Sequence, residues 1–192
     1  MILNSIASVR TGLILSRKEA KTAESCCEYR QLNLKAIDDN GRIDLGETVP
    51  FYTSEELSDN YLTRIGDIIV KTTEPYTAVY ITEEYTDLVI PSHFVLIRDI
   101  NEEVVLPQYI SWYLNTDRIK KMFRMSSTGS LKQIRPAMIG EVEIKPPTIE
   151  RQKQVIELHE YSCKEIQLLE KLIELKKIYY KVKIDNVNRT KA

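Results

Sequence analysis

Glycine and histidine are both scarce in this chain, and each scarcity closes off a chemistry. Six glycines occur in 192 residues. None falls into G-x-G-x-x-G or a phosphate-binding loop, so no nucleotide cradle of backbone amides is expected. The two histidines, His93 and His159, show no metal-ligand spacing, and no nucleophile elbow is visible for a Ser/His/Asp site. The three cysteines, Cys26, Cys27 and Cys163, lack C-x-x-C spacing. An odd count of this kind points to reduced thiols rather than a disulfide framework. No run approaches the ~18–20 apolar residues that a bilayer span needs. The opening MILNSIASVRTG places no basic stretch ahead of its short apolar run and reads as a poor signal peptide. The expectation is a cytoplasmic protein without membrane contact.

Excess charge of one sign is also missing. A formal net charge of −1 argues against indiscriminate nucleic-acid binding through overall charge, but it leaves room for a local basic patch. A hydrophobic content of 43% is enough for a real core, and the length suits one domain, or one domain with an appendage. Two fragments resemble catalytic motifs and fail as such. In Lys145-Pro146-Pro147-Thr148, a lysine stands where an amide or carboxylate would hold an adenine amino group, and a threonine where a ring would stack on a flipped base. The prolines read better as a break before a helix. Glu143-Ile144-Lys145 matches only the end of a metal-dependent nuclease motif, with no Pro-Asp pair before it. No catalytic residue, resident cofactor or metal is expected.

What is present divides at Pro146-Pro147 into a segment 1–147 and a segment 148–192. Upstream, strands are expected at 29–34, 67–73, 77–82, 92–99 and 140–145, all rich in Val, Ile and Tyr. Turns are expected at Asp39-Asn40-Gly41 and at Arg64-Ile65-Gly66-Asp67. One helix is expected over 107–123, where Ile110, Tyr113, Leu114 and Ile119 recur at helical spacing behind a proline; Trp112 and Tyr113 are assigned to packing. Downstream, Thr148 suits an N-cap and Glu150 a first turn. A heptad seam follows through Leu158, Tyr161, Leu168, Leu172, Leu175, Tyr179 and Val182, interrupted by Glu165. Ile166, Leu169, Ile173 and Tyr180 widen the stripe. A helix over 149–184 would be ~54 Å long, so it needs a partner to lie against. The fold class is α+β: a mostly β domain with a few helices, then one long C-terminal helix able to form a coiled coil.

Two clusters carry a binding signal. Between Asp117 and Glu141 there is no acid, while Arg118, Lys120, Lys121, Arg124, Lys132 and Arg135 all occur. Ser127, Thr128, Ser130 and Gln133 are interleaved with them and suit phosphate contacts or base-edge reading. The second cluster, with Lys71, Thr72, Thr73 and Tyr76, directly follows an expected strand, where binding loops often sit. Read plainly, the first is a solvated helix face with its loop and the second an ordinary hairpin connection.

The order of SIASVRTG (5–12), YRQLNLKAIDDNGRID (29–44), YLTRIGDIIVKTT (61–73), SHFVLIRD (92–99), LPQYISWYLNT (106–116), SSTGSLKQI (126–134) and VEIKPPTIERQKQVIELHE (142–160) resembles the specificity subunit of type I restriction–modification enzymes. The resemblance covers nearly the whole chain and rests on the order of these segments, since Gly-Asp-Ile-Ile alone is a weak motif. It implies a target-recognition domain that reads double-stranded DNA and a spacer helix that docks methyltransferase subunits. Adenine methylation with S-adenosylmethionine, and ATP-driven cleavage by a motor/nuclease subunit, would reside in those partners. The usual subunit has two recognition domains and two spacers, whereas this chain has one of each. The resemblance therefore implies a half-size form that pairs, antiparallel, with a second copy or another half-subunit, placing the recognition domains at opposite ends and reading a bipartite site. The competing class is a protein-interaction module that oligomerises through its tail.

Overall fold

Short runs of β-branched and aromatic residues pair into two sheets, because such side chains suit a pleated surface that buries at least one face. The computed structural model describes residues 1–20, 27–127 and 132–189. The larger sheet is antiparallel. It contains β1 (Ser8–Thr11), β4 (Ile68–Lys71), β5 (Ala78–Tyr80) and β7 (Phe94–Arg98), in the order β1-β7-β4-β5. Every residue of β4 and β7 is buried, as expected of central strands covered on both faces. The smaller sheet has β2 (Cys27–Gln31) between β3 (Val49–Thr53), antiparallel, and β6 (Leu88–Val89), parallel. Leu32, Ile37, Ile69, Val79, Ile90, Phe94 and Leu96 belong to one core cluster that draws on both sheets and the loops between them.

The helices are α1 (Pro107–Leu114), α2 (Asp117–Ser126), α3 (Pro136–Gly140) and α4 (Ile149–Arg189). The architecture is α+β with a long C-terminal helix, in agreement with the sequence pattern. Three expectations need correction. The helix expected over 107–123 is two helices, broken where Asn115 turns aside. Its Oδ1 accepts from the Ala78 amide at 3.0 Å and its Nδ2 donates to the Ala78 carbonyl at 2.7 Å, satisfying the outer edge of β5. The strand expected at 140–145 is not a strand. Val142 and Ile144 are buried and their neighbours exposed, as alternation demands, but the segment makes only a bridge, Ile2 to Glu143. Leu3 donates to the Val142 carbonyl and Ile144 to that of Met1. Finally, β1, β3 and β6 and the short helix α3 were not expected.

Two compact units are present, Met1–Lys153 and Gln154–Ala192. The expected division at 147/148 lies a few residues earlier, and Gln152 gives the reason. This fully buried side chain accepts from the Leu106 amide at 2.9 Å and donates to the carbonyls of Val104 at 3.1 Å and Pro147 at 2.9 Å. The first turn of α4 therefore belongs to the first unit. A buried amide with all these bonds made is tolerable, whereas an unpaired one would be costly.

The turn before β4 is fixed by a buried ion pair. Arg98 on β7 donates from Nε to Asp67 Oδ1 at 2.7 Å and from Nη2 to Oδ2 at 2.6 Å, and it also reaches the carbonyls of Asp59 and Leu62. Asp67 in turn accepts from the Arg64 amide at 2.8 Å. Gly66, with φ of +90°, occupies the left-handed position that this turn requires. Such a pair adds little net stability over apolar packing, but it holds the 64–67 turn in one register.

Candidate nucleic-acid interface

The two polar clusters, more than forty residues apart in sequence, meet in the fold. β4 ends at Lys71, and the connection to β5 crosses Thr72–Thr77 with a cis peptide bond between Glu74 and Pro75. Ile134, near the end of the first cluster, donates to the Thr72 carbonyl at 2.9 Å. Tyr76 is fully buried, with its ring set edge-on to Phe123 of α2 at 5.9 Å between centroids. Its hydroxyl donates to the Lys132 carbonyl at 2.8 Å and lies 3.3 Å from Ser127 Oγ. Ser127 donates to the Arg124 carbonyl at 3.0 Å, and Arg124 Nε pairs with Glu74 at 2.8 Å. A ring of contacts through residues 74, 76, 124, 127 and 132 thus ties the hairpin connection to both ends of the 127–132 segment.

Tyr76 and Lys132 both have positive φ, 57° and 44°. Neither residue type favours that region, and each such conformation costs on the order of 1 kcal/mol unless its surroundings enforce it. Here the two are joined by the Tyr76–Lys132 hydrogen bond. Strained backbone held in this way is common at binding sites.

The nine residues singled out from sequence take different places. Lys132 and Gln133 are exposed; Thr73 and Ser127 are half-buried. Lys71, Thr72 and Tyr76 are buried. Thr72 Oγ1 donates to the His93 carbonyl at 2.9 Å, and Lys71 Nζ donates to the Ile37 carbonyl. These three side chains face inward and can shape the surface only by holding its backbone. Thr128 and Ser130 lie outside the described residues. Of the other basic residues, Arg118, Lys121, Arg124 and Arg135 are exposed and Lys120 is half-buried. Burial pushes the ammonium pKa of Lys71 and of Lys120 down, against the opposing pull of Asp39 on both. His93 is likewise pushed down by burial, and its Nε2 is buried without a hydrogen-bond partner. Sequence reasoning overlooked Glu74 and Asn115. Glu74 lies between Thr73 and Tyr76 of the second cluster, but nothing local marks its pairing with an arginine fifty residues on.

Taken by itself, the second unit is a single helix. The seam residues Leu158, Tyr161, Leu168, Leu172, Leu175, Tyr179 and Val182 are between 49% and 72% exposed, and Ile166, Leu169, Ile173 and Tyr180 are similar. Among the described residues no helix is long and apolar enough to cross a membrane, and no group of His, Cys, Asp and Glu side chains is placed to hold a metal.

Comparison with solved structures identifies the architecture. The HsdS subunit from Thermoanaerobacter tengcongensis superposes with a TM-score of 0.65 at 18% identity, over 90% of this chain and 43% of that one. The chain has the HsdS fold. A chain from the type I R-M system, solved to explain complex assembly and conformational transition, superposes with a TM-score of 0.67, again at 18% identity and over 90% of this chain and 43% of its own length. This chain therefore spans less than half the length of either HsdS-fold neighbour. No family model and no curated protein matches the sequence.

Proposed function

We propose that this chain supplies one half of the specificity unit of a type I restriction–modification system. In this reading the first unit reads double-stranded DNA and the C-terminal helix pairs with a second copy or another half-subunit. The assembly directs methyltransferase subunits, and in some complexes a motor/nuclease subunit, to a bipartite site. The observation that carries the reading is the meeting of the 72–77 connection with Ser127, Lys132 and Ile134 in an HsdS-fold domain. Lys132 and Gln133 are the exposed readers at the centre of the proposed face, with Ser127 and Thr73 at the edge. Thr128 and Ser130 are assigned to the same face from sequence. Lys71, Thr72 and Tyr76 hold the backbone that presents them. Lys121 and Arg135 supply further positive charge for phosphates.

The chain is proposed to be non-catalytic. S-adenosylmethionine and ATP belong to the partner subunits, and a DNA target implies the cytoplasm. The exposed seam of α4 supports a second reading, a protein-interaction module without DNA, and both readings share helix pairing. Gel-shift against duplex DNA, with and without a methyltransferase partner, separates them. Lys132→Ala is expected to weaken binding and to reduce the slope of log affinity against log salt by about one, the share of a single phosphate contact. Equal affinity and slope in the variant would remove Lys132 from the surface, and no DNA binding in any assembly would leave the interaction module.

A further inference from the structure

The acid-free stretch between Asp117 and Glu141 acquires an acid through the fold: Glu74 meets Arg124 in the last turn of α2 at 2.8 Å. We infer that Glu74 is a specificity-determining residue, a built-in competitor that occupies Arg124 until a well-placed phosphate displaces it. The inference rests on the DNA-reading face proposed above. Both side chains are about half exposed, so water and phosphate can reach the pair, and such a pair contributes little to stability. Its role must therefore be sought outside folding. Glu74 is also held in place. Thr72 and Tyr76 on either side of it are buried and bonded, and Tyr76 sits at a strained φ. The carboxylate is thereby presented at a set position rather than on a free-swinging loop.

The guanidinium fork of Arg124 matches a phosphate as well as a carboxylate, and the two anions compete for it. Loosely bound DNA of any sequence gains little from Arg124, because Glu74 already neutralises it and repels an incoming phosphate. A duplex seated in register by its base contacts can bring a phosphate close enough to take the guanidinium. Penalising the wrong partner in this way raises discrimination without adding any attractive contact to the right one.

The test uses the full chain and a random-sequence duplex as probe, comparing wild type, Glu74→Gln, Arg124→Ala and the double variant across salt concentrations. Glu74→Gln is expected to tighten non-specific binding about two- to fivefold, the range set by an exposed ion pair, and to steepen the salt slope by about one. Arg124→Ala should change binding of this random duplex little, because Glu74 already holds the guanidinium, and in its background Glu74→Gln should lose most of its effect. If Arg124→Ala weakens binding while Glu74→Gln leaves it unchanged, the inference fails and the DNA face stands. If neither substitution changes binding, the reading of this face fails and the inference with it.

Discussion

Tyr76→Phe removes one oxygen and leaves the ring against Phe123, so it isolates the hydroxyl that holds the Lys132 carbonyl. A typical intramolecular hydrogen bond contributes about 1 kcal/mol net, and that is the expected loss in urea denaturation. Amide exchange at 132–134 should accelerate more than exchange in β4 or β7, because the bond acts on the segment rather than on the sheet. Uniform acceleration across the domain would show that Tyr76 serves only the core. His93 gives a pH-dependent counterpart. Burial lowers its pKa in the folded state below the ordinary 6.5, so the unfolded chain takes up a proton first as pH falls. The stability due to the neutral ring is complete above pH 6.5 and declines as pH drops from there through the lowered folded value. His93→Gln should flatten this part of the stability–pH curve, and an unchanged curve would place the acid sensitivity elsewhere.

The elements show which parts of the sequence could be read and why. β4 and β7 were legible because their residues are buried at every position and flanked by turn residues, and α4 because its heptads run for six turns or more. β3 was not. Its sequence, Val49-Pro50-Phe51-Tyr52-Thr53, carries a proline that demotes a strand, yet an edge position tolerates it. The break between α1 and α2 was hidden for another reason: Asn115 acts on β5, a partner that local periodicity cannot reveal. The same limit applied to the candidate face. The polar residues of both clusters were visible, but which of them point inward depends on partners distant in sequence: Ile37 for Lys71, His93 for Thr72 and Phe123 for Tyr76. The seam of α4 makes its own prediction. With two carboxylates placed in it by Leu168→Glu and Leu172→Glu, helix pairing should weaken by at least about a hundredfold, since each would be desolvated without a partner. Sedimentation of both forms measures this. A wild-type chain that stays monomeric at high micromolar concentration would exclude pairing between identical copies and leave pairing with a different half-subunit.

For the molecule as a whole, two identical chains related by a two-fold axis would present the same reading face twice, and the DNA they choose should repeat that symmetry. Specificity would then lie in the halves, with their spacing set by the paired helices. The most direct measurement is adenine-methylation mapping across the genome of a host otherwise free of such methylation, carrying this chain together with a type I methyltransferase subunit that binds it. The expected result is methylation confined to one bipartite motif with inverted-repeat halves, absent when this chain is omitted and reduced by Lys132→Ala combined with Gln133→Ala. Methylation that is the same with and without the chain would contradict its role as the DNA-reading component.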